Sequence, residues 1–397
     1  MTRVLPLVLA AAVIATPQSA AFAQLPATPP AVKESDRYGP WVASAIKPGV
    51  HLLAAAPDYF GPVVGNVTLI EQLDGWVVVD SGLTVSNGRE VVRYARSLSP
   101  KPIKAVAITH WHNDHPQGIS AIRDAFPNVR IIATGATEKG MLGPESFGID
   151  FKPNPAADAE MVRQAGESLD QLRKLLADPA TAPDRRERVK KAIAQFEAFQ
   201  REFVGTYIVP PTETFELRLL LVDALRPVEL LHLGRANTDG DLVAWLPNEK
   251  VVASGDIVVA PTPFGFFSFP GDWIESLGKL KAMPFEVLIP GHGDPQRDWD
   301  YLDKLVTAIG DIRAKVAPLA KAGVKQDEIK AKVDWAAIIA PFGDTPRNKA
   351  NFEGLFIDPM IPNAYKEALG QPIIQGEGNS PPFKVTPPKS TAKRHDS

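Results

Sequence analysis

The chain has 397 residues, 45% of them apolar and 22% charged, with a net charge of −3 at neutral pH and no cysteine. That composition suits a globular protein able to bury a sizeable core, and the lack of a basic excess argues against a nucleic-acid partner. Zero cysteines exclude a disulfide, a thiolate nucleophile, thiolate-bound zinc and a lipidated cysteine anchor.

Residues 1–23 carry one charge, Arg3, then an apolar run and the small-x-small end Ala21-Phe22-Ala23. They read as a secretory signal cleaved near Ala23, so the mature chain is expected in the periplasm or secreted. The apolar run is shorter than the roughly 20 residues that span a bilayer, and no later run is long enough, so stable membrane insertion is not expected. Losing Arg3 moves the net charge from −3 to −4. Residues 24–48, rich in proline and alanine, read as an extended lead-in to a domain that starts near Gly49.

From there the runs Val67-Thr68-Leu69-Ile70 and Trp76-Val77-Val78-Val79-Asp80 flank Asp74-Gly75, a tight-turn dipeptide, and predict an antiparallel hairpin. Helical spacing over 87–98 (Val91, Val92, Ala95, Leu98) is followed by strands at 103–108 and 129–134. Alternating helices and strands argue for α/β layers. Residues 156–204 interrupt that rhythm with an inserted helical hairpin, readable either as a packing element or as a lid. Further strands are predicted at 217–222, 228–233, 242–246, 251–254 and 287–289, so that the principal domain covers 49–300. A helical extension follows over 301–369, and residues 370–397 have the composition of a disordered tail.

The chemistry concentrates in six residues just after the strand at 103–108: His110-Trp111-His112-Asn113-Asp114-His115. Three of the chain's seven histidines and one carboxylate fall in that window. Imidazole with carboxylate is the ligand set of hydrolytic zinc sites, and a metal held there lowers the pKa of bound water to about 7. His110 and His112 alternate along an extended segment and can face one way, while Asp114 and His115 stand where the chain turns toward a helix near Ile119.

This motif resembles the His-x-His-x-Asp-His signature of the metallo-β-lactamase superfamily. Three more pieces follow strands in the family's order: Val79-Asp80-Ser81-Gly82, Ser254-Gly255-Asp256 and Pro290-Gly291-His292-Gly293. The resemblance, over residues 50 to 300, implies an αβ/βα four-layer sandwich binding one or two zinc ions. It implies His110 and His112 on the first metal, Asp114, His115 and His292 on the second, and Asp256 bridging them. Asp80 would orient a ligand imidazole, and Asp114 would also serve as a possible proton shuttle. The family's third first-site histidine is replaced, since the segment reads Gly234-Arg235-Ala236-Asn237-Thr238-Asp239-Gly240-Asp241 and Asn237 takes its place. An amide oxygen is a weaker zinc ligand than imidazole. Three outcomes stay open: Asn237 coordinates through its oxygen, the second metal dominates, or metal binding is impaired.

After Asp256, Phe264, Phe266 and Phe267 lie in a proline-bearing loop, and with Trp111 they suit an apolar wall for an organic substrate; core packing would produce the same pattern. Arg235 is a candidate clamp for a carboxylate. The expected function is exported, metal-dependent hydrolysis of a small carbonyl compound, a β-lactam, lactone or other ester or amide, by a metal-bound hydroxide. The alternative is a non-catalytic or single-metal binding protein that keeps the fold. The oligomeric state is not legible in the sequence.

Overall fold

The structure, a computed structural model, describes residues 32–143, 149–375 and 385–395. The expected signal segment, residues 1–23, lies outside the described residues.

Two sheets stack between two helical layers. The first sheet opens with β1 (Arg37–Tyr38), β2 (Trp41–Lys47), β3 (Val50–Ala55), β4 (Val67–Glu71) and β5 (Trp76–Val79), each antiparallel to the next. It continues in parallel through β6 (Ile103–Ala107), β7 (Arg130–Thr134) and β8 (Glu213–Phe215). The second sheet comprises β9 (Arg218–Leu221), β10 (Val228–Leu231), β11 (Val243–Leu246), β12 (Val251–Ala253) and β13 (Val287–Ile289), antiparallel except for the parallel β12–β13 pair.

Between the sheets sits a dry layer that includes Leu52, Val77, Val79 and Ala107 from one side and Leu230, Ala244, Val251 and Ile289 from the other. The runs β5 and β12 are buried at every position, as central strands covered on both faces should be. On the outer face of the first sheet lie α1 (Val85–Leu98), α2 (Ile119–Ala125) and the paired helices α4 (Pro155–Ala177) and α5 (Pro183–Glu202), with α3 (Gly135–Leu142) following β7. The second sheet's outer face carries α6 (Pro270–Lys281), α7 (Asp300–Lys321), the short α8 (Ile329–Lys332), α9 (Ala336–Ile339) and α10 (Pro346–Asn351), a π-helical turn at Phe352–Ile357 and α11 (Asp358–Ala368).

Local chemistry explains several of these elements. Thr84 and Asn87 form a reciprocal capping box at the start of α1. Helices α1 and α2 approach so closely at Gly88 that an added Cβ would lie 1.9 Å from the Gly118 carbonyl oxygen. In the inserted pair, Asn154 caps α4 through the Ala156 amide, and Met161, Ala165, Leu169 and Leu172 form a helical-period stripe buried with Val189, Ala192, Phe196 and Phe199 of α5. The pair thus contributes to the first sheet's outer core. Burying Phe196 alone contributes about 1.5–3 kcal/mol.

Two boundaries differ from the sequence expectation. Among the described residues, a 3-10 turn at Glu34–Asp36, β1 and β2 already lie ahead of Gly49; proline and alanine dominate only the earlier part of 24–48, and Trp41 at the start of β2 is fully buried. Within 370–397, expected as a disordered tail, the described residues include a strand. Lys393–His395 forms β14, parallel to β8, where His395 Nε2 lies 2.9 Å from Glu213 Oε2. Gln375 contacts the site described next.

Candidate metal centre

The ligand candidates stand on loops that leave neighbouring strands: Asp80 after β5, the His110–His115 segment after β6, Asp256 after β12 and His292 after β13. Parallel pairing of β5 with β6 and of β12 with β13 brings these loops to common edges of the two sheets, and the Leu242 amide donates to the Thr109 carbonyl across the layers at 2.9 Å.

Asp80 organises the first loop. Its Oδ1 accepts from the Thr109 amide at 2.8 Å; its Oδ2 accepts from Thr109 Oγ1 at 2.8 Å and lies 2.9 Å from His115 Nδ1. With its hydroxyl proton given to Asp80, Thr109 Oγ1 is left to accept from His110 Nδ1, 3.0 Å away. The bonding therefore places a proton on Nδ1 of both imidazoles, so that each ring in its neutral form presents an Nε2 lone pair inward. Orienting a ligand ring through its second nitrogen is the usual support of a metal-bound histidine.

The inward atoms converge. Asp256 Oδ2 lies 3.6 Å from His110 Nε2, while its Oδ1 lies 3.3 Å from His115 Nε2 and 3.4 Å from His292 Nε2. Asp114 Oδ2 is 3.1 Å from His292 Nε2 and 3.6 Å from His115 Nε2. Two overlapping triads result, His110/His115/Asp256 and Asp114/His115/His292, each with ligand atoms within 4.8 Å of one another. Asp256 thus reaches both groups. His112 lies outside these triads with its ring 4.6 Å from that of His110.

The fit to a divalent metal rests on orphaned lone pairs. His110 Nε2, Asp114 Oδ2, His115 Nε2, Asp256 Oδ1 and His292 Nε2 are buried without a well-formed hydrogen bond, although they crowd together. Buried polar atoms rarely go unsatisfied, and this nitrogen and oxygen set suits zinc or a similar late divalent ion.

Electrostatics agree. Burial opposes charge on His292, but Asp256 and Asp114 outweigh it and raise its pKa to about 9. Burial likewise opposes the charged form of His115, yet Asp114, Asp256 and Asp80 hold its pKa well above the ordinary value. Burial lowers His112 to about 4 and holds His110 well below the usual range. Burial also works against Asp256, but His292, His115 and His110 keep its carboxyl ionised far below the usual range. The carboxylates thus demand positive charge, which protons on His115 and His292 supply when no cation does.

Asn237 stands on the β10–β11 loop, fully buried. Its Nδ2 donates to the Phe264 carbonyl at 2.8 Å, which fixes the amide orientation and leaves Oδ1 buried without a partner. Asp241 holds this loop on both sides of Asn237, its Oδ2 accepting from the Ala236 amide at 3.2 Å and the Thr238 amide at 2.7 Å. Burial raises the Asp241 pKa to about 8.

The aromatic loop faces the same centre. Phe264 packs edge-on against His292 at 5.6 Å, Phe267 lies 5.8 Å from Trp111 and 6.0 Å from His112, and Phe266 lies 6.5 Å from Phe267. Arg235 takes no part; it is exposed, ion-paired with Asp272 and stacked 4.2 Å over Phe269. His232 serves its loop, with Nδ1 2.7 Å from the Asp241 carbonyl.

Several contributors carry no sequence signature. Asn66 donates through Nδ2 to the carbonyls of Pro290 and Gly293, both at 2.9 Å, clamping the turn that carries His292. Gly65 makes room for His115, whose Cε1 would lie 2.7 Å from an added Cβ. Gly291 does the same for Asp256, whose Oδ1 would be 2.0 Å from one.

With the site defined, comparison with known proteins adds the family. The pattern of the metallo-beta-lactamase superfamily matches residues 60–292, more than half of the chain. The chain belongs to the metallo-beta-lactamase superfamily. Among superfamily relatives, it is 27% identical over 306 residues to a linear primary-alkylsulfatase from Pseudomonas sp. (strain ATCC 19151), covering 70% of this chain and 51% of the relative. It superposes with a TM-score of 0.57 on the stereoselective inverting sec-alkylsulfatase Pisa1 from Pseudomonas sp., at 17% identity, over 87% of this chain and 52% of that one. The chain therefore spans about half the length of these relatives, and the second likeness concerns the fold. Among the described residues, no helix is long and apolar enough to cross a membrane.

Proposed function

We propose that this superfamily member is an exported zinc-dependent hydrolase that cleaves a small ester carrying an apolar group, with an alkyl sulfate as the favoured substrate. The convergence of five buried, unbonded donor atoms from His110, Asp114, His115, Asp256 and His292 carries the reading. Within it, His110, His112 and Asn237 would hold a first zinc ion and Asp114, His115 and His292 a second, with Asp256 within reach of both groups. A zinc ion bound by these residues would supply Lewis acidity, which lowers the pKa of a water to about 7 and so makes a nucleophile available at neutral pH.

The chain's own groups account for the rest. Asp80 holds His115 and, through Thr109, His110 in the tautomers that present Nε2 inward. Asp114, a carboxylate within this ligand cluster, is the group proposed to take up a proton during attack and return it to the leaving alcohol. Phe264 beside His292 and Phe267 beside His112, both half-buried, would with Phe266 offer an aliphatic tail an apolar wall, backed by the buried Trp111. The sulfate preference rests on the likeness to the linear primary-alkylsulfatase. Export rests on the composition of residues 1–23, and the substrate is a small molecule with no nucleic acid involved.

A zinc-loaded enzyme assayed against alkyl sulfates, a lactone and a chromogenic β-lactam separates the possibilities. The reading predicts turnover of the alkyl sulfates. Turnover of the lactone or β-lactam alone would return the substrate to the carbonyl class, and no turnover of any with two zinc ions bound would leave a binding protein.

A further inference from the structure

Gln375 lies beyond the last helix of the second layer, yet its side chain reaches three loops of the candidate site. Its Oε1 accepts from the Trp111 indole N–H at 3.3 Å and from the Asp239 amide at 3.3 Å. Its Nε2 donates to the Phe267 carbonyl at 2.9 Å. The amide orientation is thereby forced, since a flipped amide would set donors against donors and an acceptor against the carbonyl.

The three partners stand beside the ligand cluster, Trp111 buried and Phe267 half-buried. Trp111 sits within the histidine motif with its ring 4.9 Å from His112; Asp239 shares the loop of Asn237; Phe267 packs on both Trp111 and His112. Phe267 also holds a positive φ of 58°, a conformation that a bulky residue keeps only where its surroundings impose it. The bond from Gln375 to its carbonyl is one such restraint. Beneath Trp111, an added Cβ at Gly140 would come within 2.7 Å of the indole, so the ring is seated directly on α3. Ser390 Oγ donates to Glu138 Oε1 of the same helix at 2.6 Å.

We propose that Gln375 is a positioning residue for the substrate wall, and that residues 371–375 form a strap holding Trp111 and Phe267 where they receive the apolar tail of the ester. The proposal rests on the ester-hydrolase reading above for its substrate. The strap touches neither the ligand atoms nor the reacting ester bond, so its loss should weaken recognition of the tail and spare the chemical step.

The test compares wild type, Gln375→Ala and Gln375→Glu in the full zinc-loaded chain on hexyl, octyl and decyl sulfate. For Gln375→Ala, KM for decyl sulfate should rise about fivefold, the factor for one net hydrogen bond, with kcat within about twofold and little change for hexyl sulfate. An equal loss at every tail length, or a fall in kcat at constant KM, overturns the proposal. A second measurement does not depend on substrate: hydrogen exchange at the Trp111 indole and the Asp239 amide should quicken at least about fivefold in Gln375→Ala at unchanged zinc content. Gln375→Glu, which keeps the acceptor, should leave Trp111 protected. Equal exchange in wild type and Gln375→Ala overturns the strap even if the esters are cleaved. Should wild type cleave no ester, the functional reading fails and the exchange result decides the strap by itself.

Discussion

Replacing Asp80 by asparagine should cost zinc affinity and almost nothing else. Asp80 has a positive φ of 63°, a backbone conformation that asparagine also tolerates well, so the loop can persist. The amide oxygen can still accept from the Thr109 amide, now made by Oδ1 at 2.8 Å. In place of Oδ2 comes an NH2 group facing two donors, Thr109 Oγ1 at 2.8 Å and His115 Nδ1 at 2.9 Å. The hydroxyl can rotate and become an acceptor. The imidazole can avoid the clash only by moving its proton to Nε2, which removes the lone pair aimed at Asp114 and Asp256. Loss of such support typically lowers metal affinity 10- to 100-fold, about 1.4–2.8 kcal/mol. Competition against a chromophoric chelator reads the affinity, and thermal unfolding of the metal-free protein reads the scaffold. Unchanged affinity with intact folding would refute the proposed tautomer and the role of Asp80.

Three further perturbations follow from the same geometry. Asn237→His should raise first-site zinc affinity, measured by the same competition; unchanged affinity means that Asn237 does not face a metal. Gly291→Ala sets a Cβ 2.0 Å from Asp256 Oδ1 and should reduce affinity at least about tenfold as Asp256 is displaced, whereas wild-type affinity would show that Asp256 is not a ligand. Asp241→Asn keeps one oxygen for the Ala236 and Thr238 amides. The folded pKa of Asp241, about 8, lies above its ordinary 3.8, so the native state retains a proton that the unfolded chain gives up, and wild type loses stability as pH rises between those values. The asparagine variant lacks that loss and should gain on wild type by up to roughly 1.4 kcal/mol per pH unit across the window, checked by unfolding midpoints at several pH values. A difference independent of pH would contradict the buried, protonated carboxyl.

Much of the fold could be read because strong local signals agreed with tertiary structure. Asp74-Gly75 between two apolar runs marked the β4–β5 hairpin, and the four-residue spacing from Met161 to Ala165 to Leu169 marked a helix whose stripe is buried. The metal motif was legible because three imidazoles and a carboxylate in six residues have no packing rationale. What escaped depends on distant partners. Lys393–His395 has no strand-forming pattern and is a strand only because β8 offers an open edge and Glu213 a partner for His395. Asn66 resembles any polar loop residue until the turn around His292 folds onto it, and Gln375 gains meaning only where three loops meet. Arg235 misled for the converse reason: its neighbour Asn237 is buried, while its own side chain turns outward to Asp272.

Zinc titration of chelator-treated protein tests the central claim most directly. The account predicts two equivalents bound, with proton release near neutral pH because His292 and His115 must give up protons as the metal enters. Failure to bind zinc tightly, or binding that survives replacement of Asp114 and Asp256 together, would contradict it.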